Sequence, residues 1–214
     1  MKKIYIIGAG GFGREVVWLI ERINQTKPEW QLQGFIDDNV QIHGSMEDSY
    51  PVLGGCELLE QCGEEVWVVC AIGAAAVRER VINKVNGFKN VRYATLIDPS
   101  VIMSSRITLG EGTIVCAGTI CTVDITIGNH VIINLDCTIG HDATIEDFVT
   151  IYPSVNVSGC AVIEKGVELG TGAQIIQGKR VGSETIVGAG AVVTKDLPDK
   201  CTAVGAPARP VKYK

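Results

Sequence analysis

The residues with the clearest chemical potential lie in LDCTIGHDATIEDF, residues 135–148, where His141 stands directly before Asp142 in a chain that holds only three histidines. A carboxylate next to an imidazole fixes its tautomer and stabilises its protonated form, and imidazole is the usual general base near neutral pH. The pair reads as a proton-transfer site, with His141 as base and Asp142 as its neighbour. His130 has no comparable constellation and is expected to be a bystander whose removal is neutral. His130 and His141, eleven residues apart, are also too few for a three-histidine zinc site, so no metal is expected.

A second constellation opens the chain. In IIGAGGFGRE, Gly8, Gly10 and Gly13 fit G-x-G-x-x-G between an apolar run and a helical pattern, and Asp37 follows 24 residues after Gly13. Such glycines bring backbone N–H groups close to phosphates at a helix N-terminus. The bland alternative is a tight strand–helix turn without a ligand. NAD is disfavoured, because only three or four strands precede the next texture, half of a dinucleotide fold.

Two different frameworks must position these residues. Residues 1–93 alternate strand and helix patterns: KIYIIGAG, then GREVVWLIERIN, LQGFIDD, CELLEQCG, VWVVCAIG and AAVRERVINKVNG. This alternation implies a parallel sheet with crossover helices. From Ile97 to Val193 every sixth residue is apolar, through Ile127, Ile133, Ile139, Ile145 and Ile151. Four residues after each comes a small or β-branched residue, with Lys179 the exception. A six-residue period is that of a β-solenoid, and it resembles the left-handed parallel β-helix of hexapeptide-repeat transferases, in which three hexapeptides make one coil. Val123, His141 and Gly159 then stack on one line. His141, two positions after the interior Ile139, points outward.

Composition narrows the partners. A net charge of −5 argues against nucleic acid as a ligand, and no apolar run approaches a membrane span. The N-terminal run reads as a first strand and not as a signal peptide, so a cytoplasmic protein is expected. The eight cysteines lack a metal or disulfide spacing and are expected to fill buried positions. Residues 194–214 carry a net charge of +3 against −6 for 97–192, which suits either an anion contact or a solvated cap over the last coil.

Over nearly its whole length the chain resembles the bacterial sugar acetyltransferases that include nucleotide-linked 4-amino-sugar N-acetyltransferases and sialic acid O-acetyltransferases. The resemblance rests on IIGAGGFGREV, GFIDD, PVLGG, AIG, LIDPSV, GHD, IYPSVNVSG and VGAPARPVK. It implies an α/β, Rossmann-like nucleotide-binding domain (1–93) followed by a left-handed β-helix with a C-terminal cap (94–214), assembled as a homotrimer. It implies His141 as base with Asp142 beside it. Gly8, Gly10, Gly11 and Gly13, the acidic pair Asp37 and Asp38, and Ala71, Ile72 and Gly73 would hold the nucleotide-linked sugar. Gly159 would contact acetyl-CoA, the co-substrate. The sequence departs from many relatives at Gly140, Thr150, Asp98, Ala74 and Ala75.

The expected activity is therefore acetyl transfer from acetyl-CoA to the amine of a nucleotide-activated amino sugar, with a pyrimidine nucleotide preferred over NAD. The alternatives are O-acetylation of sialic acid or another sugar, and a non-catalytic nucleotide-binding trimeric module. A nicotinamide oxidoreductase rests on the glycine motif alone. The trimer is expected to bury the outward apolar residues Ile114, Ile132 and Ile176.

Overall fold

The structure is a computed structural model that describes every residue, Met1–Lys214. The chain divides into two compact units, one of residues 1–73 and 77–99, the other of 74–76 and 100–214, against the expected break at 93/94.

The first unit begins with β1 (Lys2–Ile7), α1 (Gly11–Thr26) and β2 (Trp30–Ile36). The short β3 (Met46–Glu47), β4 (Tyr50–Gly54), α2 (Glu57–Glu60) and β5 (Val66–Cys70) follow, then α3 (Ala75–Val85) and β6 (Val91–Tyr93). The sheet order is β3-β4-β2-β1-β5-β6, parallel except for β3 against β4. Ile4, Ile6 and Ile7 of β1 and Val68 and Val69 of β5 are buried, as continuous apolar strands in the middle of a parallel sheet should be. α1 buries Val16, Val17, Leu19 and Ile20 against β1 and β2. After β1 the chain moves to one side of it, and later returns to the other side through β5. The loops after β1 and β5 therefore flank the point where the strand order reverses, the place where parallel sheets open a crevice.

The second unit is a left-handed β-helix. Its two-residue strands build three parallel sheets, in which each strand pairs with the one 18 residues on: Ile114 with Ile132 and Thr150, Ile120 with Thr138 and Asn156, Thr126 with Thr144 and Val162. From Val115 to Val193 every member of the six-residue apolar row is buried. The second row is buried as well, from Thr113 to Ala191, with Lys179 partly exposed as the one break. A third row became visible in the backbone. Every sixth residue from Gly112 to Gly190 has a positive φ, including Asp124, His130, Asp136, Asp142, Phe148, Ser154 and Cys160. These residues sit at the prism corners, where the left-handed conformation turns the chain from one sheet to the next; Gly and Asp accept it most readily.

The tail covers the end of one sheet. Cys201–Val204 pairs with Ile186–Val187, and Arg209–Tyr213 folds back antiparallel on it, so the basic segment lies over the last open edge.

Three expectations need correction here. Ile114 and Ile132, read as outward apolar residues for a trimer contact, are 0% and 1% exposed in the single chain, and of that set Ile176 alone reaches solvent. A six-residue period cannot reveal the burial of these two side chains. His130 is not a bystander. It is 5% exposed and stacks on Phe148 with ring centroids 5.2 Å apart and planes 17° apart. Gly112, one coil below in the same corner line, packs without a side chain against the other side of the ring. Finally, six of the eight cysteines are buried, but Cys62 is half-buried and Cys160 is exposed.

Candidate active site

Two sites emerge, one in each unit. In the β-helix, the corner between the sheet strands Thr138–Ile139 and Thr144–Ile145 carries His141 and Asp142. The period places His141 outward, and its side chain is 52% exposed. Asp142 takes the left-handed corner position, φ +58°. Its Oδ2 accepts a hydrogen bond from His141 Nδ1 at 2.7 Å. That bond assigns the proton to Nδ1 and leaves the lone pair on Nε2, the form a general base needs. The Nε2 edge of the ring lies over Gly159, one coil on. A Cβ there would stand 2.6 Å from Nε2 and 2.7 Å from Cε1, so only glycine admits this ring position. The Gly159 N–H has no acceptor within the chain, whereas the Gly159 carbonyl accepts from Gly178.

Gly140, one of the departures, is crowded: a Cβ would come within 2.5 Å of the Gly159 nitrogen. Thr150, a second departure, is buried and pairs in register with Ile132 and Glu168. Asp98, at the third departure, is an ion-pair residue of the α/β unit. Arg22 on α1 donates to it twice, at 2.6 and 3.0 Å.

In the α/β unit, a cavity of about 170 Å³ is lined by Ile7, Gly8, Ile36, Asp37, Asp38, Cys56, Ile72, Val77 and Val81. It lies at the carboxyl ends of the central strands and brings together Gly8, Asp37, Asp38 and Ile72 from the predicted set. Gly8 approaches the Ala71 carbonyl, and a Cβ on Gly13 would run into the Gly8 carbonyl, so this pair lets α1 begin directly over the end of β1. Gly10 is the N-cap of α1, Gly11 opens it, and neither lines the cavity. Ala71 is buried, with its N–H donating to Ile7.

The acidic pair has two distinct tasks. Asp37 accepts from the backbone of Ala9 at 3.1 Å and of Asn39 at 2.9 Å, which ties the glycine loop to the end of β2. Its carbonyl accepts from His43 Nε2 at 2.7 Å. Asp38 accepts from the Cys56 N–H and from Lys84. Burial works to raise its carboxyl, but these donors outweigh it and hold Asp38 below the ordinary aspartate value. Sequence reasoning missed Arg78. Its side chain is 1% exposed and donates to the carbonyls of Ile72 at 2.6 Å and Gly73 at 3.0 Å, fixing the loop after β5. Arg78 sat in a helical pattern as an ordinary charged position, with no signal that its loop would fold over it.

The sites together define an acyltransferase of the hexapeptide-repeat class with an added nucleotide-type domain, and the comparisons agree. Residues 3–85 match the family model for the PglD N-terminal domain. GDP-perosamine N-acetyltransferase from Escherichia coli O157:H7 is 30% identical over 97% of this chain and 95% of its own. Perosamine N-acetyltransferase from Caulobacter crescentus, solved as a histidine-to-asparagine variant in complex with CoA and GDP-perosamine, superposes with a TM-score of 0.89. It is 28% identical, over 98% of this chain and 97% of that one. The acetyltransferase domain of PglB from Neisseria gonorrhoeae FA1090, in complex with acetyl coenzyme A, gives 0.88 at 29% identity over 98% and 99%. Two further matched acetyltransferases are covered over only 42% and 52% of their own length. The chain belongs to the nucleotide-sugar acetyltransferases of the hexapeptide family. No helix is long and apolar enough to cross a membrane.

Proposed function

We propose that the protein transfers the acetyl group of acetyl-CoA to the amine of a nucleotide-linked amino sugar, with His141 as general base. The observation that carries this reading is the imidazole held by Asp142 on one side and seated over Gly159 on the other. His141 Nε2 takes the proton from the attacking amine as the new N–C bond forms. The thioester oxygen becomes an oxyanion, which the unclaimed Gly159 N–H is suited to receive. Collapse breaks the C–S bond, and the imidazolium returns its proton to the departing CoA thiolate. Asp142 stabilises the imidazolium in between.

The nucleotide belongs, in this reading, to the α/β cavity. Its glycine loop and the Asp37 and Asp38 network are preformed, and Arg78 sets the loop opposite. The E. coli relative is named for a GDP-linked sugar, so guanosine joins uridine among the nucleosides to test. The active form is a homotrimer associated through the β-helix, working in the cytoplasm. Ile102 and Ile120, paired in register on one prism face and 65% and 39% exposed, are the apolar surface that supports association.

The deciding experiment mixes purified protein with acetyl-CoA and follows thiol release with GDP- and UDP-linked amino sugars, with free sialic acid, and with no acceptor. Release with an amino-sugar nucleotide that disappears in His141→Ala is the expected outcome. Release with sialic acid alone would make the protein an O-acetyltransferase. No release with any acceptor, together with calorimetric binding of a nucleotide, would leave a binding module.

A further inference from the structure

The line of corners that carries His141 holds a residue the sequence did not single out. Cys160 occupies the left-handed corner position one coil on from Asp142, with φ +57°. The period thus puts residue 160 beside residue 141, because Gly159 between them has no side chain to intervene. The donor atoms of His141, Asp142 and Cys160 all lie within 4.8 Å of one another, and all three residues are exposed. Two histidines are too few for a zinc site made of three imidazoles, but a thiol can stand as the third donor.

We infer that His141, Asp142 and Cys160 form a binding site for a soft divalent cation of the zinc class, which inhibits the enzyme by occupying its base. A thiolate, an imidazole and a carboxylate are the donor types that select zinc over magnesium or calcium. Donors bound at ~2.0–2.3 Å in tetrahedral geometry stand roughly 3.3–3.8 Å apart. Three exposed side chains already within 4.8 Å reach that arrangement by rotation alone, leaving water in the fourth position. Binding replaces the hydrogen bond between Asp142 and His141 Nδ1, whose proton shifts to the other ring nitrogen, and ionises the S–H of Cys160, whose proton passes to solvent. The other thiols offer no equivalent. Burial pushes Cys56, Cys70 and Cys121 up to about 12 and keeps them from a cation in solution. The site is inhibitory and supplies no cofactor: a cation here holds the imidazole that must accept a proton.

The binding half of the inference stands on geometry alone, and the inhibitory half rests on His141 as base. The test uses the full chain with Zn²⁺ as probe. Calorimetry, or competition with a chromogenic chelator, should show one Zn²⁺ per chain. Cys160→Ser should weaken that binding by more than about 10-fold, while Cys62→Ser, a half-buried thiol elsewhere, should leave it unchanged. Acetyl transfer should be inhibited by Zn²⁺ in the wild type, restored by EDTA, and, measured against its own metal-free rate, insensitive to Zn²⁺ in Cys160→Ser. No stoichiometric binding, or equal binding by wild type and Cys160→Ser, would overturn the site. Cysteine-dependent binding with unaffected turnover would uphold the site and count against His141 as base, so the two readings fail separately.

Discussion

The imidazole of His141 occupies the space in which residue 159 would carry a side chain: Nε2 stands 2.6 Å from the Cβ position of Gly159. The position of the proposed base therefore depends on a glycine one coil away. Gly159→Ala should push the ring off its seat while the fold survives, because the atoms that must yield are the far end of an exposed side chain. Displacing a base by about 1 Å lowers turnover by up to ~100-fold. Steady-state kinetics together with a thermal melt check this. Wild-type turnover in Gly159→Ala would show that the seat is unnecessary.

His141→Asn or His141→Ala should lower kcat by roughly 10²–10⁴ with little change in stability, because the side chain contributes nothing to the prism interior. Asp142→Asn should lose less, since the amide oxygen can still accept from Nδ1 but no longer balances the imidazolium charge. A His141→Ala protein with unchanged turnover across pH would remove the general-base role.

His130→Ala should be destabilising, contrary to the neutral outcome expected from sequence. The ring is enclosed between Gly112 and Phe148, and the backbone there has φ +53°, which alanine tolerates poorly. Removing a buried, stacked ring should lower stability by about 2–4 kcal/mol. Denaturant unfolding of the variant reads this directly. A midpoint equal to wild type would mean the stack contributes nothing.

The residues of the β-helix mark where sequence reading succeeds and fails. Ile139 and the outward direction of His141 were legible because the period is a property of the backbone, and every coil repeats it. The burial of His130 was present in the numbering too, since Phe148 lies 18 residues on in the same corner line, but it needed the coil length to be applied to side chains as well as to the core. Cys160 escaped for the same reason: its contact is with residue 141, 19 positions back and across a glycine. Ile114 and Ile132 were misread because burial of an outward face depends on what else covers it, which no period encodes. The glycine loop and Asp37 were legible as a motif. The capture of Asp38 by Cys56 and Lys84, and Arg78 beneath its loop, depended on tertiary contacts between segments that show no pattern of their own.

The trimer should be visible in solution. Sedimentation of the wild type should give a trimer at micromolar concentration. Replacing the stacked exposed pair Ile102 and Ile120 with glutamate should weaken it, since like charges would then stand in register on an apolar face. A wild-type protein that sediments as a monomer would refute the assembly.

The C-terminal coils should show acid sensitivity with a definite sign. Glu164 accepts from Arg180 Nη2 at 2.8 Å, and from the Ser183 backbone at 3.0 Å and hydroxyl at 2.9 Å. The Arg180 hydrogen bond is the main cause that holds the Glu164 carboxyl below its ordinary value of 4.5. A carboxyl depressed in the folded state adds stability above its unfolded value, and that contribution is lost as pH falls through the folded value. Glu164→Gln should therefore be less stable than wild type at pH 7, by roughly 1–2 kcal/mol for loss of charged hydrogen bonds. The gap should narrow as the pH drops below 4.5 and close once Glu164 is protonated in both states. Thermal melts of the two proteins from pH 7 downward test this. A gap that stayed constant with pH would assign the effect to packing, and a gap that widened in acid would reverse the sign derived from the Glu164–Arg180 contact.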